Sequence, residues 1–183
     1  MPTSRPRSTS VSKVGLTILA APLAILLVAG GCKEAPTPES AACQGVPSMA
    51  MTGRVTDAAD VLTAEEEKRL SDRLARYEAR TKHQMAVATT ASLNGARVDN
   101  FGSCLGDRWA IGRKDVNDGV LILIAPKERQ MRIATGTGME KLLPDEKAKV
   151  VIGRMTPYFK SADYAGGLTA GVEAIAAQAG DAS

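Results

Sequence analysis

Histidine is almost missing from this 183-residue chain: His83 is the only one, so a metal site of clustered imidazoles is excluded and a Ser-His-Asp triad would have to use it. Three cysteines are too few for a four-cysteine zinc site. Aromatic residues make up only 3% of the chain, while 44% apolar and 23% charged residues mark it as globular and not disordered or fibrous. A surplus of one charge sign is also missing once the first residues are set aside. Arg5, Arg7 and Lys13 account for the formal net charge of +3, and from Cys32 onward 20 basic residues face 20 acidic ones. The basic pI therefore belongs to the leader, and nucleic acid is not an expected partner. There is no Walker A loop, and Gly136-Thr137-Gly138 fails the dinucleotide fingerprint because position 141 is lysine. No internal repeat is visible.

The leader has a secretory pattern. The basic residues precede Val14 to Gly31, 18 residues without a charge that are interrupted by Pro22. At about 1.5 Å per residue such a helix reaches about 27 Å, marginal for a bilayer. The run ends Val28-Ala29-Gly30-Gly31-Cys32, which resembles the lipobox of bacterial lipoproteins. That resemblance implies lipidation at Cys32, with a diacylglyceryl group on its sulfur and an acylated new N-terminus. Several acyl chains (palmitate-like) would anchor stably where one would be marginal. Ala29 and Gly31 also fit an ordinary small-x-small cleavage site, and an uncleaved N-terminal helix is the third alternative. Each places residues 33–183 outside the cytoplasm, in the cell envelope, facing the periplasm if there is an outer membrane.

Residues 1–31 therefore read as a lipoprotein signal peptide. Residues 32–52 read as the lipidated cysteine and a flexible tether, with Pro36, Pro38 and Pro47 among small polar residues. With Cys32 acylated, Cys43 and Cys104 remain as an even pair in an oxidising compartment. A disulfide between them would staple the tether's end to the domain; the alternative is two thiols, with Cys104 buried as a small hydrophobe.

Residues 53–180 read as one α/β domain. Thr63 and Glu66 match a capping box that opens a helix to about Thr81, with Leu70, Leu74 and Tyr77 on its apolar face. Its other face, including Arg73, reads as solvated and ion-paired, and His83 falls at the helix end, where a cation favours the dipole. Gln84–Thr90 predicts a strand and Val98–Ala110 a second helix. Val120–Ile124, five branched apolar residues in a row, predicts a strand buried on both faces. A turn at 126–129 leads to an antiparallel, half-exposed strand around Met131–Thr135. A third helix begins after Pro144-Asp145 and is expected to stop at Pro157, and a glycine-rich fourth helix ends the domain. The strand–helix–strand unit predicts a right-handed crossover, and the whole an αβα sandwich with a small mixed sheet and helices on both faces.

The hairpin predicts where chemistry would sit. The end of its second strand lies beside the start of its first, so the loops 136–145 and 112–118 should meet. They would bring Asp115, Asp118, Glu140 and Asp145 to one end of the sheet, with the Asn117 carbonyl nearby. Carboxylates and carbonyls without histidine or cysteine suit a hard cation, Ca2+ or Mg2+. Three of the four also have a plain structural role: Asp145 as a helix N-cap, Asp118 in the turn Asn117-Asp118-Gly119, Asp115 as a solubilising loop residue beside Lys114. Asp57 and Asp60 precede the first helix and should lie at the opposite end.

GRVTDAADVLTAEE, DRWAIGRKDVNDGVLILIAPKERQMRIATGTGMEKLLPDE and MTPYFKSADYAGGLTAGV, in that order, carry W-x-I-G, D-G-V-L, R-I-x-x-G-x-G-x-E and P-x-F-K. This combination resembles the TPM domain family, over about residues 53–178. The family includes thylakoid-lumen photosystem repair proteins, a receptor-modulating membrane protein and many bacterial membrane or secreted proteins. The resemblance implies an αβα sandwich with an acidic cleft, in which Asp118, Glu140 and Asp145 match the family's acidic positions and Asp57 the aspartate of its V-x-D opening. Thr135 and Pro144 depart from the family pattern. Some members have been proposed as acid phosphatases or divalent-cation binders; others act as auxiliary modules of membrane complexes. The resemblance thus leaves two functions to weigh. One is a membrane-anchored, non-enzymatic accessory or interaction module with envelope protein partners, and Ca2+ or Mg2+ as a structural cation. The other is a metal-dependent phosphatase in which Asp118, Glu140 and Asp145 hold the cation and Asp57 is a candidate base.

Overall fold

The computed structural model describes residues 41–181. The expected signal peptide, the expected lipidation position Cys32 and the first part of the expected tether lie outside the described residues. The elements run β1 (Val55–Asp57), α1 (Ala64–Thr81), β2 (Gln84–Thr89), α2 (Val98–Arg108), β3 (Gly119–Ala125), β4 (Gln130–Thr135), α3 (Asp145–Lys160) and α4 (Tyr164–Gln178). The sheet order is β1-β2-β3-β4. Val55 pairs with Val87 and Gln84 with Gly119 in parallel ladders, while Ile122 faces Ile133 in the antiparallel one.

Alternation along the strands divides the core in two. Met85, Val87, Val120, Ile122, Ile124 and Ile133 pack against α1, α3 and α4. Ala86, Ala88, Leu121, Leu123 and Ala125 pack against Phe101 and Leu105 of α2. All seven residues of β3 are buried, as its unbroken apolar run requires. The result is the three-layer αβα sandwich. The crossovers through α1 and α2 step in the same direction along the sheet but pass over opposite faces, so they are of opposite hand. The right-handed expectation holds for only one of them.

Local chemistry explains the helix ends. Thr63 and Glu66 form the reciprocal capping box. Asp163 caps α4 through the Gly166 N–H at 2.8 Å. Pro157 does not end α3, which continues to Lys160. The proline deprives only the Gly153 carbonyl of a partner, and that turn is exposed to water, while buried Met155 and half-buried Phe159 hold the last turn. The fourth helix needs its glycines for approach: a Cβ on Gly167 would come within 2.3 Å of the Phe159 ring. Gly167→Ala gains about 1 kcal/mol of helix propensity but overpacks at about 1–3 kcal/mol, so a net loss of about 1 kcal/mol is expected in urea titration.

Tyr77 is fully buried in the α1 core, and among the described residues its hydroxyl has no partner. Burial, with the Asp181 and Asp118 charges, pushes the phenol up to about 12. Its folded value lies above the unfolded value of about 10, so its contribution is complete below pH ~10 and is lost as pH rises toward 12. Tyr77→Phe should leave neutral stability unchanged or raise it by up to about 1 kcal/mol, since both fill the site and only one buries an unpaired hydroxyl. It should also flatten the alkaline limb, as read by denaturation at pH 9 to 12.

The tether is shorter than its composition implies. Cys43 and Cys104 form a disulfide. Arg108 donates to the Pro47, Cys43 and Val46 carbonyls at 2.8, 3.1 and 3.0 Å, and Trp109 Nε1 donates to the Met49 carbonyl at 2.8 Å. Residues 43–49 are thus a strap bound along α2. The signal lay in the spacing: Arg108 is one turn beyond Cys104 on the same helix face.

Candidate functional site

The loops that enter β3 and leave β4 meet as the hairpin dictates. The Gly136 N–H donates to the Gly119 carbonyl and the Gly138 N–H to the Asn117 carbonyl, both at 2.9 Å. The approach needs glycine: a Cβ on Gly136 would lie 2.1 Å from the Asn117 carbonyl oxygen, and one on Gly138 would lie 2.1 Å from that of Val116. Gln84, at the start of β2, accepts from the Gly112 N–H at 2.7 Å and ties the entry loop to the sheet.

The loops meet, but their carboxylates divide. Asp118 is wholly buried. Its Oδ1 accepts from the Arg113 backbone N–H at 2.8 Å, and its Oδ2 from Arg113 Nε and Nη2 at 2.9 and 2.6 Å. His83 Nδ1 lies 2.8 Å from the same Oδ2. Burial by itself would raise the Asp118 carboxyl, but the Arg113 guanidinium and N–H together with His83 outweigh it and hold it well below the usual carboxylate range. His83 therefore serves Asp118 rather than the dipole of α1; the chain has already turned through Lys82, the left-handed C-cap, before reaching it. Asp115, Glu140 and Asp145 are exposed. Asp145 is the first residue of α3 and not its cap; Pro144 holds the N-cap position and provides no side-chain hydrogen bond.

Among the described residues, no three of His, Cys, Asp or Glu are grouped to hold a metal ion. A hard cation needs several free oxygens converging on one point. Here both oxygens of the buried Asp118 carboxylate already accept from Arg113, and one also meets His83. This arrangement does not fit Ca2+ or Mg2+, and no chemical step is routed through a cation.

Asp57 stands at the other end of the sheet. It pairs with Thr89, five strand steps from the row of Gln84 and Gly119, or about 17 Å at 3.3 Å per residue. One of its oxygens accepts the Thr89 hydroxyl, and the other the N–H groups of Val61 and Leu62 at 2.8 and 2.7 Å. It shapes the turn between β1 and α1.

A third ionic centre joins α1 to α4, where the sequence suggests only a solvated face. Arg73 is buried and bridges Glu173 of α4, at 2.6 Å from Nε, and Asp181, at 2.9 Å from Nη1; Arg80 also pairs with Asp181. The hydrogen bond and charge of Glu173, with Asp181, outweigh burial and push the Arg73 guanidinium above its ordinary value. Its place was readable, since Arg73 falls between Leu70 and Tyr77 in the same i, i+3, i+7 stripe.

An open mixed sheet between two helical layers, with Asp118 held in a buried ion pair, Asp57 in a turn, and Asp115, Glu140 and Asp145 facing solvent, defines an α/β module. Residues 55–178 match the TPM domain, and the chain belongs to that family. Three solved structures are similar to it. An N-terminal domain from P. gingivalis is 33% identical, with a TM-score of 0.63, over 69% of this chain and 82% of that one. An N-terminal domain from Corynebacterium glutamicum is 16% identical, with a TM-score of 0.58, over 75% and 89% respectively. The BA42 protein of the psychrophilic bacterium Bizionia argentinensis is 22% identical, with a TM-score of 0.57, over 64% and 80%. No curated protein matches the chain.

Proposed function

We propose that this chain is a lipid-anchored, extracytoplasmic TPM domain that works as an accessory or interaction module of an envelope protein complex. The observation that carries the reading is the strap. Ten residues separate Cys32 from Cys43, the first covalent tie to the domain, and the eleven steps between the two cysteines span at most about 40 Å when extended. An anchor at Cys32 would thus hold the domain near the membrane surface, in reach of membrane proteins. The spent state of Asp118 and the distance to Asp57 favour this reading over a metal-dependent phosphatase, which would need those groups beside Glu140 and Asp145.

Two measurements test it. Labelled palmitate should be incorporated by the native protein and lost with Cys32→Ser, which should also leave the membrane fraction. Photocrosslinking from exposed positions in intact cells should recover the same envelope protein repeatedly. Failure to recover any reproducible partner would sink the accessory role, and an unlabelled native protein would sink the anchor.

A further inference from the structure

A cleft of about 490 Å³ lies at the opposite end of the sheet from Asp118. It opens where β3 ends, between the 126–129 turn and the α3–α4 corner. That volume is in the range of small-molecule sites, and the carboxyl ends of strands are where open α/β sheets bind ligands. Ile124, Met131, Phe159 and Tyr164 contribute apolar surface, and Arg129 and Lys160 line it as well.

Three features define this cleft. The first is its aromatic wall in a chain with little aromatic content. Phe159 and Tyr164 stack at 5.7 Å between centroids, and Tyr158 beside them is 41% exposed, so half of the six aromatic residues gather at one corner. The second is charge. Arg129 and Lys160 line the cleft, no carboxylate does, and neither cation forms an ion pair with the described residues. The third is backbone conformation. Arg129 and Ala162, both lining the cleft, have φ of 54° and 59°, left-handed values that glycine adopts freely and other residues adopt at a cost of about 1 kcal/mol. Arg129 takes this value where it closes the hairpin turn, its N–H donating to the Pro126 carbonyl, and Ala162 takes it just past the end of α3, so both belong to the frame of the cleft.

We propose that this cleft binds a small amphiphilic anion. Its apolar body, aromatic or aliphatic, lies against Phe159, Tyr164 and Met131, and its carboxylate or phosphate pairs with Arg129 and Lys160. The cleft lies at the other end of the sheet from the loops of Asp118, and the proposal does not depend on the accessory role.

The test uses the full chain and the fluorescent anion 8-anilinonaphthalene-1-sulfonate. Saturable one-to-one binding is expected, with amide shifts centred on Ala125, Met131, Phe159 and Tyr164 in nitrogen-15 spectra. Arg129→Glu/Lys160→Glu should weaken it tenfold or more while the circular dichroism and thermal midpoint stay native. Arg129→Gln and Lys160→Gln, tested singly, should each weaken it several-fold and supply the answer if the double variant misfolds. The uncharged analogue N-phenyl-1-naphthylamine should bind more weakly and ignore salt. Displacement by monomeric laurate assigns an aliphatic carboxylate, and displacement by phenyl phosphate an aromatic phosphate. No saturable binding, shifts centred elsewhere, binding unchanged by folded charge variants, or displacement by neither competitor would overturn the proposal.

Discussion

Asp118→Ala is expected to cost about 3 kcal/mol in folding free energy, the low end of the range for removing one member of a buried ion pair. The carboxylate is fully buried and organises the entry to β3 by accepting from the Arg113 backbone, the Arg113 guanidinium and His83. Its loss leaves the imidazole and the guanidinium without their common partner. The Arg113 side chain is 47% exposed and can turn to water, which places the effect at the low end. The sign of the pH dependence is fixed. The folded carboxyl lies below its unfolded value of about 4, so its contribution is complete above that pH and is lost as pH falls through and below it. Asp118→Asn should therefore lose stability at pH 7 and show a shallower acid limb. Urea titrations at pH 7, 4 and 3 read both. An alanine variant as stable as the native chain would show that the Arg113 and His83 contacts contribute nothing.

Cys43→Ser/Cys104→Ser should cost about 2–4 kcal/mol. The bridge closes a loop across a sequence separation of 61, and most of its contribution comes from the chain entropy it removes from the unfolded state. The folded state should respond locally. Trp109 is the only tryptophan, and its indole N–H donates to Met49 in the strap. If the bridge holds the strap, its removal should red-shift the tryptophan emission and speed amide exchange in residues 46–50. A lower urea midpoint with unchanged emission would mean that Arg108 alone keeps the strap in place.

The element order, the mixed sheet and the pairing of the two loops are all legible in the sequence, because each rests on local pattern. An unbroken branched run makes a central strand, a four-residue turn makes a hairpin, and a capping box starts a helix. Parity and compartment are enough to suggest the Cys43–Cys104 pairing. The misreadings come where tertiary contacts override local rules. Pro157 sits in a helix because packing by Met155 and Phe159 outweighs one lost bond in a wet turn. Arg73 reads as solvated on charge alone, although its spacing places it in the buried stripe beside Leu70 and Tyr77. The opposite hands of the two crossovers leave no trace in any single segment.

The acidic loops show the same limit. Hairpin geometry brings the loops 112–118 and 136–145 together but does not say which way each carboxylate turns. Asp118 turns inward because Arg113, five residues before it, reaches back with its guanidinium, and because His83 enters from the end of the first crossover. Neither partner has a spacing that announces it. The strap is equally hidden, since its residues look like linker until Arg108 and Trp109 bind their carbonyls.

Whether Asp118 is a structural carboxylate or a metal ligand decides whether these loops supply the cation site that a metal-dependent enzyme requires. Calorimetric titration of Ca2+ and Mg2+ into the full chain, with Asp118→Asn and the exposed Glu140→Gln alongside, addresses this most directly. For a structural carboxylate, no saturable heat that either substitution removes is expected. Micromolar binding in the native chain that disappears in folded Asp118→Asn or Glu140→Gln would contradict that role and make these loops a cation site.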